Sequence, residues 1–116
     1  MAGSGKITGS HLIGRALQLE GVRNIFTLAG DHILHAMDVM YDMDFNYVDV
    51  RHEQAAVHMA DAWARITGQP GVCMTTTPGM ANAMPGLTNA MHGDSPVISI
   101  SGCAALSQLG RGAMQE

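Results

Sequence analysis

Short apolar runs and helical periods take turns along this chain, and that alternation restricts its fold more than any single residue does. Apolar Leu12, Ile13, Ala16, Leu17 and Leu19 predict a helix over residues 10–20, with Gly21 as its stop signal. A short strand follows over 24–28, Gly30-Asp31 breaks it, and helical spacing resumes from Ile33 to Met43 through Leu34, Met37, Val39 and Met40. Tyr47 to Val50 reads as a second strand and Gly71 to Thr76 as a third. Between them Gln54 to Thr67 reads as a helix, closed by Gly68 with Pro70 beyond. Pro78-Gly79 punctuates the third strand, Met80 to Met91 predicts a fourth helix, and Pro96 to Ser101 a fourth strand. Strands bounded by Gly and Pro and separated by helices specify βαβ units. The expected fold class is therefore α/β: an open parallel sheet, helices on both faces, right-handed crossovers. Residues 1–9 are expected to form a flexible tail and residues 10–116 a single domain without internal repeats.

Composition narrows the function. A chain of 116 residues can bury roughly two-thirds of its unfolded surface. Apolar residues make up 47% and charged residues 14%, so much of the surface is uncharged, and interfaces with other protein are expected. The formal charge is -4 and the six Lys and Arg residues are scattered, which leaves no basic stripe for a phosphate backbone and argues against nucleic acid as a partner. The N-terminus lacks the apolar core of a signal peptide, and no stretch approaches the roughly 20 apolar residues of a membrane span. A membrane is not an expected partner, and the cytoplasm is the expected location. Cys73 and Cys103 lack a C-x-x-C pairing, which suits two buried thiols in a reducing compartment better than a disulfide or a zinc site.

The seam between the second strand and the third helix carries the candidate chemistry. Arg51-His52-Glu53-Gln54-Ala55-Ala56 passes directly from strand to Ala-rich helix, at the carboxyl end of a parallel strand where open α/β folds bind ligands. Position alone gives Glu53 two readings, a capping acid in a first helical turn or a catalytic carboxylate. Its surroundings are apolar or small. Desolvation there favours the neutral form and helix N–H groups favour the charged one, a balance that suits proton exchange near neutrality. Further along the helix, Asp61 and Arg65 stand at i and i+4 and are expected to pair on a wet face.

Competing motifs fail on spacing. His52 and His58 are six residues apart, whereas a zinc-protease helix needs histidines four apart. Gly3-Ser4-Gly5-Lys6 has no preceding strand, and Ile7 stands where a phosphate loop needs Ser or Thr. No dinucleotide fingerprint occurs. His11, His32, His35 and His92 read as surface or cap residues. The spaced methionines Met37, Met40, Met80 and Met84 read as core filler.

Taken together, Arg51 to Ala56 and His58-Met59-Ala60-Asp61-Ala62-Trp63-Ala64-Arg65-Ile66-Thr67-Gly68 strongly resemble the pyrimidine-binding, N-terminal domain of thiamine-diphosphate-dependent enzymes, nearest the acetolactate synthase branch. The match continues through Gly71-Val72-Cys73, Thr75 to Asn82 and Asp94-Ser95-Pro96, and ends at Ala113-Met114-Gln115-Glu116, so it covers nearly everything from His11 onward. The chain departs from the family pattern at Ala29, at Thr77 before Pro78-Gly79, and at Met114 beside Gln115.

The resemblance implies a thiamine-diphosphate-dependent transferase or lyase that acts on 2-oxo acids as carboligase or decarboxylase. Glu53 would hydrogen-bond N1′ of the aminopyrimidine and favour the imino tautomer, whose nitrogen takes the thiazolium C2 proton. Gly30 would bring its backbone near the cofactor, Pro78, Gly79 and Asn82 would line the pyrimidine pocket, and Gln115 would approach the substrate. The resemblance assigns no metal ligand to this chain. It implies Mg²⁺ held by a separate diphosphate-binding domain, in the same or another chain, FAD in some members, and assembly as a homodimer or tetramer. The domain is expected to be incomplete at its C-terminus and inactive alone. A noncatalytic binding or dimerisation domain with the same fold is the alternative.

Overall fold

The computed structural model describes residues 6–116, and in it adjacent residues of each central strand serve opposite cores. The order is α1 (Gly9–Leu19), β1 (Asn24–Thr27), α2 (Asp31–Met40) with a 3₁₀ turn (Tyr41–Met43), β2 (Asn46–Asp49), α3 (Glu53–Thr67), β3 (Gly71–Thr76), α4 (Thr77–His92) and β4 (Val97–Gly102). All strand pairs are parallel, in the order β2-β1-β3-β4. Ile25, Val72 and Met74 pack with Leu17 of α1 and with Ile33 and Met40 of α2, whereas Phe26 and Cys73 pack with Ala56, Val57 and Ala60 of α3 and Ala83 of α4. Because side chains alternate along a strand, the period of two produces the three layers.

The expected α/β architecture is thus present, with four adjustments. First, α4 begins at Thr77, three residues before the predicted start, because Pro78 falls in its first turn, where a missing amide leaves no helical bond unmade. Second, Pro85 lies inside α4, and the sequence reading passed over it. Third, Cys103 is exposed and only Cys73 is a buried thiol. Burial raises the pKa of that thiol above its ordinary value. Finally, α1 begins at Gly9, with His11 Nδ1 accepting the Thr8 N–H at 3.2 Å, so Lys6 to Thr8 lead straight into a capped helix. The first five residues of the expected tail, and with them most of Gly3-Ser4-Gly5-Lys6, lie outside the described residues.

Small residues let α3 press against its neighbours. On α4, Gly79, Ala83, Gly86 and Ala90 are the buried positions, and on α3 the alanines 56, 60 and 64 are buried. The tightest approach to backbone is at Gly71, where an added Cβ would lie only 2.0 Å from the Ala60 carbonyl oxygen. A backbone atom cannot rotate away, so any larger residue pushes helix from sheet. Asp61 also differs from expectation: instead of pairing on a wet face, it is 5% exposed and receives Arg65 Nε at 2.7 Å and Asn89 Nδ2 at 3.1 Å, tying α3 to α4. The Arg65 hydrogen bond above all holds its carboxyl below the usual carboxylate range.

Strand order also marks where a ligand would be expected to bind. The connection from β1 leads to β2 on one side, and that from β3 leads to β4 on the other, so the chain reverses direction between β1 and β3. Open sheets bind ligands at the carboxyl ends flanking such a point.

Two outcomes follow. Gly71→Ala should lower unfolding stability by about 3 kcal/mol in a urea titration, as overpacking against rigid backbone does. Asp61, whose folded-state pKa is depressed, contributes stability that is present above its unfolded value of about 3.9 and is lost as pH falls through the lower folded value. Asp61→Asn should therefore flatten the fall in melting temperature below about pH 4.

Candidate functional site

The capping of α3 decides what its first acid is free to do. His52 is the N-cap residue, in extended conformation, and its Nδ1 accepts the Gln54 N–H at 3.2 Å. Glu53 is the first helical residue, and its side chain does not cap the helix. Its carboxylate instead receives Asn82 Nδ2 from α4 at 3.1 Å on Oε2. Glu53 Oε1 faces Gly79: a Cβ there would lie 2.8 Å from Oε1, 2.9 Å from Glu53 Cγ and 3.1 Å from Thr75 Cβ. A half-buried carboxylate is thus held by one amide, next to a glycine that leaves one oxygen open.

The other expected residues gather at the same end of the sheet. Pro78 is exposed in the first turn of α4, beside Gly79. Gly30 caps α2, and a Cβ there would lie 2.6 Å from Thr76 Cγ2 and 3.6 Å from Gln115 Oε1. Gln115 adopts the left-handed conformation with φ 58°, and its buried Oε1 has no hydrogen-bond partner. The six residues thus form two groups, Glu53, Pro78, Gly79 and Asn82 on one, Gly30 and Gln115 on the other. Consecutive residues at the end of β3 join them, because Thr75 abuts Gly79 and Thr76 abuts Gly30.

Sequence reasoning assigned no role to Thr75, although it lies within the stretch that carries the resemblance. Thr75 is fully buried and its hydroxyl has no partner. It also missed the loop clasp formed by Glu116, whose carboxylate accepts the N–H groups of Gly110 and Ala113. Those bonds, the Gly110 one first, hold its carboxyl below the usual range. Nor is His32 a surface residue: it is half-buried in the first turn of α2, with Nδ1 buried and unpartnered. A hollow of about 410 Å³ lined by Gln108, Arg111, Ala113 and Met114 lies on the same loop, and Glu53 does not line it. Among the described residues, no three His, Cys, Asp or Glu stand close enough to hold a metal ion.

Residues 7–116 match the family described as thiamine pyrophosphate enzyme, N-terminal TPP binding domain. The chain belongs to that family. It is 41% identical over 109 residues to a protein of Methanocaldococcus jannaschii named "Probable acetolactate synthase large subunit", a span that covers 93% of this chain and 18% of that one. It is 39% identical to the Escherichia coli acetolactate synthase isozyme 3 large subunit, over 95% of this chain and 20% of the other. Identity to 2-hydroxyacyl-CoA lyase 2 of Danio rerio is 38%, over 93% and 18%. This thiamine-pyrophosphate-binding domain thus spans about a fifth of the length of the curated relatives it matches.

The residues present fit the family's cofactor on chemical grounds. An aminopyrimidine ring nitrogen calls for a carboxyl group free of other duties, and His52 relieves Glu53 of capping. A flat ring calls for a wall without a side chain, and Gly79 supplies one beside Oε1. Gly79→Ala should keep the fold only if Glu53 shifts, because the new methyl meets Glu53 Oε1 and Cγ and lies 3.1 Å from Thr75 Cβ, while Ala favours the helix by about 1 kcal/mol. It should displace the Glu53 carboxylate, visible as a shift of its ¹³C side-chain resonance, and weaken thiamine diphosphate binding in the assembled protein.

Proposed function

We propose that this chain is the pyrimidine-binding module of an acetolactate-synthase-like carboligase or decarboxylase acting on 2-oxo acids, active only with a diphosphate-binding domain. The observation that carries this reading is the Glu53 carboxylate, uncommitted to its own helix and held at Oε2 by Asn82. When bound, thiamine diphosphate supplies an acidic thiazolium carbon and an electron sink for decarboxylation. Glu53 would hold and return a proton at N1′ through Oε1, while Asn82 keeps the carboxylate from rotating. Pro78 and Gly79 would wall the ring and exclude water, and Gly30 would place its backbone at the reversal point. Gln115 would present its side-chain amide to the 2-oxo acid from the opposite side of the β3 end. The names of the relatives include both synthases and a lyase, which supports the shared thiamine chemistry and leaves the acceptor to residues outside this domain.

Mg²⁺, and a flavin where the assembled protein carries one, would be held outside residues 6–116. Exposed Met59 and Ile66 on α3, with Met84 and Met91 on α4, support a surface covered by a partner domain or a second copy in a dimer or tetramer. A cytoplasmic location suits two free cysteines, and none of the described helices is long and apolar enough to cross a membrane.

The test is exchange of the thiazolium C2 proton for deuterium in the assembled, cofactor-loaded protein. Glu53→Gln should slow it by about 10²-fold or more, the scale of general acid–base catalysis. An unchanged rate would refute the proton role and favour a noncatalytic domain. Asn82→Ala should slow exchange by a smaller factor, because it removes the brace and leaves the acid.

A further inference from the structure

Thr75 presents a fully buried hydroxyl that forms no hydrogen bond, near the end of β3, whereas buried Thr27 of β1 is satisfied across the sheet: its Oγ1 donates to the Met74 carbonyl at 2.8 Å. An unmade hydrogen bond of this kind is unfavourable, and Val would fill the same volume without it. Its neighbourhood suggests its use. The point that a Gly79 Cβ would occupy lies 3.1 Å from Thr75 Cβ and 2.8 Å from Glu53 Oε1, so Thr75 and that carboxylate oxygen border the same space left by the missing side chain of Gly79. The other oxygen, Oε2, already has a donor in Asn82.

We infer that Thr75 is a positioning residue for Glu53, its hydroxyl donating to Oε1 when the side chain turns inward against a bound pyrimidine. The inference rests on the proton role proposed above. With Asn82 on one oxygen and Thr75 on the other, the carboxylate plane is fixed from two sides. The strand end that joins the two groups of site residues then also sets the aim of the acid. In the cofactor-free state the same hydroxyl stays unpaired, so its contribution appears only on loading.

That separation makes the test specific. In the full-length protein, Thr75→Val and Thr75→Ser are compared with the unaltered protein for melting temperature without cofactor, for the Glu53 carboxyl ¹³C shift on adding thiamine diphosphate and Mg²⁺, and for C2–H/D exchange. Thr75→Val should melt at an unchanged or higher temperature without cofactor. It should lose most of the cofactor-induced ¹³C shift and slow exchange about tenfold, the effect of one hydrogen bond to a charged group. Thr75→Ser should restore both signals. The inference is overturned if Thr75→Val exchanges at the unaltered rate, or if the cofactor-free Val variant melts several degrees lower, which would mean that the hydroxyl is already bonded and purely structural. Glu53→Gln separates the two ideas. If that variant exchanges normally, the proton role itself fails, whereas if it is inert and Thr75→Val is normal, only the positioning role fails.

Discussion

Everything at the carboxyl end of this sheet depends on how closely α3 lies on β3. With no side chain at Gly71, the Ala60 carbonyl sits directly over the strand, and the buried alanines of α3 extend that approach along the helix. Dispersion and burial scale with such contact, so the smallest residues produce the tightest layer. The consequence for function is geometric. A helix seated at this height delivers its first residue, Glu53, to the level of the β3 terminus, where Thr75 and Thr76 divide the crevice.

The seam at residues 52 and 53 separates two tasks that one acid often performs. His52 satisfies an orphan amide of the first turn, and the next residue therefore keeps its carboxylate for a partner on another helix. Asp61, two turns further on, shows the contrasting case. Buried between α3 and α4 and saturated by Arg65 and Asn89, it is committed to holding the helices together. Both acids accept an asparagine amide from α4, yet Asp61 is paired on both oxygens, whereas for Glu53 only Oε2 has a side-chain partner.

Membership of the thiamine pyrophosphate enzyme family accords with a carboxylate, a glycine and an amide gathered at one end of the sheet, in a chain spanning a fifth of its relatives. The described residues supply a carboxylate, a wall and an amide, all suited to a neutral heterocycle. They bring together no cluster suited to a metal-bound diphosphate.

Much of the fold was legible because its causes are local. Helical spacing, strand runs and Gly or Pro stops located all eight regular elements, and Gly68 indeed takes the left-handed conformation that ends α3. Local signals misplaced the start of α4, since Pro78 reads equally as a breaker and as a first-turn residue. They also put Asp61 on a wet face, because its second partner, Asn89, comes from another helix. In the site, Gly30, Glu53, Pro78, Gly79, Asn82 and Gln115 could be named from the residues and their resemblance, and their places in the fold bring them to one end of the sheet. By itself the sequence determined the α/β alternation, the family and the identity of the acid, all encoded in short-range patterns. Only tertiary structure decided that Glu53 is held rather than capping, that Thr75 keeps an unpaired hydroxyl beside it, and that Gln115 stands across β3. Each of these depends on contacts between segments far apart in the chain, whose distances no local period specifies.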